Sequence, residues 1–164
     1  MKAKMWKGII STVAVTIMAL MVIQCSQPVT KLPKKLAGLN LTKELVGNQA
    51  ADVMRKMHGK TLGTDNYEIG YYGPAADNNI LYLSIFPNVA KAKSDYMSMS
   101  MKLAQGTAVF TPLQFDHMEK NLRFRTTGMG KSHVFYRDST VLVWLQMDST
   151  LIDSGLADLE QVKF

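Results

Sequence analysis

Apolar residues recur along this chain in three rhythms, and each rhythm predicts a different kind of segment. Residues 8–23 form an uncharged, mostly apolar run with Lys2, Lys4 and Lys7 ahead of it. A basic head followed by such a run has the layout of a secretory signal. Residues 26–35 carry two prolines, Pro28 and Pro33, among polar and charged side chains with no apolar period, which predicts a linker. Beyond it, periods of 3.6 and 2 alternate between turn residues, as they do in a domain that mixes helices and strands.

The helical period occurs twice at length. Ala50, Val53, Met54 and Met57 follow i, i+3, i+4, i+7, predicting a helix over 49–58 with Asn48 as its N-cap and Gly59 as its stop. His58, in its last turn, would interact favourably with the helix dipole when protonated. A longer helix is predicted over 89–105, opened by Pro87-Asn88 and stopped by Gly106. Val89, Ala92, Tyr96, Ser100, Leu103 and Ala104 fall on one side of it, Lys91, Asp95, Ser98 and Lys102 on the other. Strands are predicted over 67–72, 80–86, 122–127, 132–137 and 140–147. Gly73-Pro74, Asp77-Asn78-Asn79, Gly128-Met129-Gly130 and Asp138-Ser139 supply the turns. The runs 80–86 and 140–147 are apolar on both faces, as central strands covered on both sides are. Pro112 puts any strand within 107–115 at a sheet edge, and a short helical turn is expected near 156–162. The order predicts an α+β domain: an antiparallel sheet of about five to six strands with two main helices packed on one face. The expected division is 1–24 as signal, 25–38 as tether and 39–164 as a single domain.

The cysteine count changes the reading of the N-terminus. Cys25 is the only cysteine and stands where the apolar run ends, so no internal disulfide can form. Residues 9–23 would cover about 22 Å as a helix, short of the roughly 30 Å of a bilayer's hydrocarbon core. Length therefore favours a cleaved signal over a permanent span. Val22-Ile23-Gln24-Cys25-Ser26 resembles the lipobox of bacterial lipoproteins, although Gln24 stands where that class carries a small residue. The resemblance is confined to this segment. It implies cleavage before Cys25, acylation of the Cys25 thiol, and anchoring to membrane lipid in the cell envelope, facing the periplasm or the exterior. Ser26 in place of an aspartate implies the outer membrane in a two-membrane cell. Two or three acyl chains, at about 0.8 kcal/mol per buried methylene, suffice to hold a protein on a bilayer.

Charge narrows the partners. The chain carries +6, but losing Lys2, Lys4 and Lys7 leaves sixteen Lys and Arg against thirteen Asp and Glu. Lys31, Lys34, Lys35 and Lys43 gather near the anchor, where they suit either an anionic lipid surface or plain solvation. Nothing has the basic, aromatic-interleaved pattern of a nucleic-acid surface.

Candidate chemistry is sparse. The string Met97 to Lys102 alternates methionines, and thioether sulfur suits Cu(I). In a helix, however, Met97 and Met99 lie about 200° apart, and only Met97 and Met101 share a side. His58, His117 and His133 form no HxH, HExxH or CxxCH pattern, though a lone histidine can join a methionine on haem iron. The residues left for a metal or haem are His133, His117, Met97 and Met101. Copper or haem is the alternative to the main expectation of no cofactor. His133 shares a strand face with Phe135 and Arg137, and His117 has Asp116 and Glu119 as neighbours, which would raise its pKa. No nucleophile elbow and no phosphate-loop spacing is present, and no carboxylate pair stands out. Tyr67, Tyr71, Tyr72, Tyr82, Phe124, Phe135, Tyr136 and Trp144 fall on predicted strands, as core on a covered face or as a binding platform on an open one; core is the expectation. Arg123 and Arg125, opposite Leu122 and Phe124, are expected to mark the solvent side. The sequence thus favours a non-enzymatic binding or scaffolding role with an envelope protein partner, and envelope metal or haem handling stands as the alternative.

Overall fold

The computed structural model describes residues 30–59, 63–117 and 122–164; residues 1–24 and Cys25 lie outside them. The elements run β1 (Lys35–Leu36), β2 (Leu39–Val46), α1 (Asn48–His58), β3 (Asn66–Tyr72), β4 (Asn79–Ile85), α2 (Val89–Leu103), β5 (Gln114–His117), β6 (Leu122–Gly128), β7 (Lys131–Asp138), β8 (Val141–Met147) and α3 (Ile152–Leu159). All eight strands join one antiparallel sheet in the order β1-β2-β3-β4-β8-β7-β6-β5. Two hairpins are set by residue pairs with positive φ at both central positions: Ala37 and Gly38 (51° and 77°), and Met129 and Gly130 (51° and 72°). That turn geometry matches the twist of antiparallel strands.

Side chains alternate across a strand, so the registers sort residues onto two faces. On one face the partners Leu45, Ile69, Tyr82, Trp144, Phe135, Phe124 and Phe115 form an unbroken row from β2 to β5. α1 covers the β2–β3 end of this face with Ala50, Ala51 and Met54 against Tyr67, Ile69 and Ile80. α2 covers the other end with Ala92, Tyr96 and Leu103 against Phe135 and Leu142. The opposite face carries Leu81, Leu83, Val134, Val143, Leu145 and Met147, buried under Ile152, Leu156 and Leu159 of α3. Helix and sheet approach closely where Gly155 faces Met147; a Cβ there would lie 2.7 Å from the sulfur.

The α+β class, the antiparallel sheet and the placement of α1 and α2 on one face agree with the sequence expectation. The sheet has eight strands rather than five to six, because β1 and β2 add a hairpin and β5 is a true strand at the edge that Pro112 marks. α3 lies earlier than expected, at Ile152–Leu159, and it covers the second face. Asn88 caps α2 by accepting from the Lys91 N–H at 2.9 Å, but Asn48 caps nothing. It is the first residue of α1, behind Gly47 at φ 57° with no side-chain cap.

The main correction concerns the segment expected to be a tether up to residue 38. Leu32 and Leu36 are buried, at 4% and 0% exposure, and the backbone between them is tied down at several points. The Lys31 N–H donates to Glu68 Oε2 at 2.7 Å, Tyr72 Oη donates to the Pro33 carbonyl at 2.9 Å, and the Ala37 N–H donates to Asp158 Oδ2 at 2.7 Å. Burial raises the Glu68 carboxyl pKa, and the backbone N–H groups of Lys31 and Leu32 act against that rise. The strap is part of the fold. Among the described residues, no helix is long and apolar enough to cross a membrane.

Two substitutions separate a strap from a tether. Leu36→Ala should lower unfolding free energy by about 2–5 kcal/mol, whereas Lys35→Ala, exposed beside it, should stay within about 0.5 kcal/mol. Urea titrations monitored by tryptophan fluorescence provide the comparison, and equal small effects would return residues 31–38 to a linker.

Candidate functional site

Residues 107–112 form a loop rather than a regular strand, Pro112 has no N–H for a ladder, and their backbone groups find partners within the loop and on β6. The Thr107 hydroxyl accepts from the N–H groups of Val109 and Phe110 at 3.2 and 3.1 Å. The Thr107 N–H donates to the Phe110 carbonyl at 2.8 Å. Thr111 locks the loop onto β6: its N–H donates to the Thr127 carbonyl at 2.9 Å, and its hydroxyl accepts from the Thr127 N–H at 3.0 Å. The loop can lie this close because Gly128 has no side chain. A Cβ there would run into the Val109 carbonyl and the Phe110 ring.

Loop and hairpin enclose an open groove of about 700 Å³ whose lining includes Thr107, Phe110, Thr111, Thr127, Gly128, Lys131, Ser132 and Ser149. Its lining mixes hydroxyl side chains with the apolar Ala108, Val109, Phe110 and Pro112. Lys131, the one ionisable lining residue among those described, is paired with Asp148 at 2.6 Å.

Beneath the groove floor lies His133, with 0% exposure. Its Nδ1 accepts from Trp144 Nε1–H at 3.1 Å. The indole nitrogen is only a donor, so Nδ1 must hold a lone pair and the ring proton sits on Nε2, which donates to the Gly128 carbonyl at 3.0 Å. The Phe110 ring seals the pair edge-on, 5.1 Å from His133 and 5.7 Å from Trp144. Burial pushes the His133 pKa down, against the bond to Gly128, and the neutral imidazole fits this surrounding. Neither nitrogen retains a lone pair for an ion.

The two candidate methionines do not gather around it. Met97 and Met101 project from α2 with 45% and 74% exposure, while His133 is sealed. His117 ends β5, with its backbone paired to Leu122. Among the described residues, no group of three or more His, Cys, Asp or Glu is placed to hold a metal.

The aromatic residues divide by position. Tyr67, Tyr72, Phe135 and Tyr136 are core, between 0% and 4% exposed. Along the cross-strand row, exposure then rises toward the β5 edge. Trp144 stacks on Phe135 at 5.0 Å, Phe135 meets Phe124 at 5.6 Å, and Phe124 meets Phe115 at 6.3 Å. Phe115 ends the row at 62% exposure, with Leu122 beside the edge at 43%. Among the described residues β5 is the last strand of the sheet, and an edge strand can accept a partner strand.

Arg123 and Arg125 lie opposite Phe124, as the alternation predicts, but they do not mark an open solvent side. Arg123 reaches Asp116 at 3.0 Å and Glu160 at 3.4 Å; Arg125 reaches Asp116 at 3.2 Å and Asp153 at 2.6 Å. The two arginines brace β5 and β6 against α3. Phe110, Thr111 and Phe115 were not singled out by the sequence patterns; the one local signal was Pro112, which marks an edge.

His133 generates a pH prediction. Its folded pKa lies below the ordinary 6.5, so the unfolded chain binds the proton first as pH falls. The stabilisation is complete above about pH 6.5 and declines below it until the folded pKa is passed. The stability difference between the wild-type chain and His133→Gln, from urea midpoints, should therefore shrink on acidification through that window. A difference independent of pH would contradict the neutral, doubly bonded imidazole.

No family model, curated protein or solved structure matches the chain, and its function is therefore argued from the geometry above.

Proposed function

We propose that this chain is a bacterial envelope lipoprotein, anchored to membrane lipid through acylated Cys25, whose domain binds or scaffolds an envelope protein without chemistry of its own. The domain faces the periplasm or the exterior, and the outer membrane is its site in a two-membrane cell. The strap carries the reading. Because the chain is fixed to the sheet from Lys31 onward, an anchor at Cys25 holds a rigid platform rather than a domain on a long leash. Residues 25 to 31 span at most about 20 Å when fully extended. The binding surface is the β5 edge, where Phe115 and Leu122 are exposed at the last strand of the sheet. With His133 committed to Trp144 and Gly128, the copper or haem alternative loses its buried histidine.

Intact mass of the protein extracted from native membranes tests the anchor. The expected mass begins at Cys25 and includes acyl chains, and Cys25→Ser should carry none. A mass that includes Met1 to Gln24 without lipid would overturn the lipoprotein reading. For the partner, Phe115→Ser should weaken a co-purifying envelope protein by about thirtyfold, the effect of losing one interface anchor of about 2 kcal/mol. Met57→Ser, at a similarly exposed methionine on α1, should leave it unchanged.

A further inference from the structure

The point at which the chain enters the fold is fixed, and the charges around that point are unbalanced. Lys31 and Pro33 are held by Glu68 and Tyr72 of β3, and Leu32 and Leu36 are buried. The entry therefore lies on the β1–β3 side of the sheet and cannot swing to the other. Six peptide steps separate it from Cys25, a reach of about 20 Å at most. Next to the strap, the β1–β2 hairpin exposes Lys34, Lys35 and Lys43. Two carboxylates stand by these three lysines: Asp158, which accepts from the Ala37 N–H at the hairpin turn, and Glu44, which approaches Lys34 only to 4.0 Å, with the Lys34 side chain 82% exposed. Lys43 lies 5.3 Å from the centre of the Tyr71 ring. Glu68 is buried and committed to the strap backbone, so it does not offset these cations at the surface.

We infer that the β1–β2 edge is a membrane-docking surface whose occupant is a layer of anionic phospholipid headgroups. This inference rests on the anchor at Cys25. The length of chain brings the hairpin to the bilayer, and charge complementarity decides which side turns toward it. The sheet then stands on this edge. β5 is the eighth strand in the row, and at about 4.8 Å per strand it is held roughly 30 Å farther out. That distance exceeds the screening length of about 8 Å several times over, so charges at the β5 edge do not sense the lipid. The apolar end of the aromatic row is thereby turned toward other envelope proteins.

The test uses the full acylated chain, in which a thioether blocks Cys25 and one engineered cysteine takes a fluorophore, at Asn40→Cys on β2 or Gln114→Cys on β5. Both positions are exposed. The protein is reconstituted into phosphatidylcholine vesicles, with or without phosphatidylglycerol, that carry a headgroup nitroxide quencher. Quenching at position 40 should exceed that at 114 severalfold in the anionic vesicles. Raised salt, or the combined Lys34→Gln, Lys35→Gln and Lys43→Gln variant, should abolish the excess, since each lysine near the surface contributes about fivefold to the attraction. Equal quenching at the two positions, or an excess insensitive to salt, overturns the docking edge. Intact mass of the same sample reads the anchor separately. Acyl chains with equal quenching remove the edge and leave the anchor standing, whereas a chain without lipid removes both.

Discussion

The pairing of β4 with β8 joins what would otherwise be two separate half-sheets. Six register pairs, from Ile80–Gln146 to Ile85–Val141, bring the last strand of the chain beside a strand about sixty residues earlier. Both strands are apolar on both faces, so each needs a cover on both sides. Leu81, Leu83, Val143 and Leu145 are essentially inaccessible beneath α3, and burial of each such side chain contributes about 1.5–3 kcal/mol. The other face of the same pair joins Tyr82 to Trp144 and so links the layer under α1 to the layer under α2. If β8 were lost, the strap, α1 and β2 to β4 would be separated from α2 and the meander. Such distant partners impose loop-closure entropy early in folding, so this topology is intrinsically slower to fold than one built on local contacts.

A buried histidine in an aromatic row needs an explanation, since unpaired polar groups in such places are costly. His133 has one partner for each nitrogen, and those partners belong to different elements: Trp144 in β8 and Gly128 at the end of β6. The ring thus ties three adjacent strands together at one end of the sheet. Phe110 covers it and carries the 107–112 loop with it. The groove outside that loop is consequently a fixed feature, with walls held by backbone bonds to Thr127 and a floor held by the histidine. A fully satisfied polar network of this kind specifies one arrangement of the core more sharply than an apolar side chain of similar size would.

The parts that were legible from sequence are those whose pattern is local. α1, α2, β3, β4 and the meander β6–β7–β8 follow from unbroken periods bounded by Gly, Pro, Asn and Asp. β2 was missed because Thr42-Lys43-Glu44 puts three polar residues in its middle, and the register irregularity between Leu41 and Lys43 sends Leu39 and Leu41 to the face under α3 but Leu45 to the face under α1, a split that no simple alternation shows. The strap was hidden for another reason. Pro33, Lys34 and Lys35 have linker chemistry, and the burial of Leu32 and Leu36 depends on Met147, Leu156 and other residues more than a hundred positions away. The same limit applies to Arg123 and Arg125. Alternation gave their face correctly, but the carboxylates of Asp153 and Glu160 that cover it come from α3. For His133, the pattern gave the face but not the two partners that decide between a ligand and a structural ring.

With helices on both faces of the sheet, the domain has little open sheet surface, and the proposed binding role would fall to its edges and to the groove. The two edges differ in chemistry. The β1–β2 edge is lysine-rich, lies adjacent to the strap and ends in a two-residue strand, features that discourage pairing with another strand. The β5 edge is short as well, but Phe115 and Leu122 make it apolar, and the braces from Arg123 and Arg125 to α3 hold it firm. A rigid edge loses less entropy on binding than a mobile one, so a modest apolar contact there converts more fully into affinity. The strap contributes to the same end from the opposite side. By fixing where the chain enters, it would make the direction in which the β5 edge points, under the proposed anchor, a property of the fold rather than of a flexible linker.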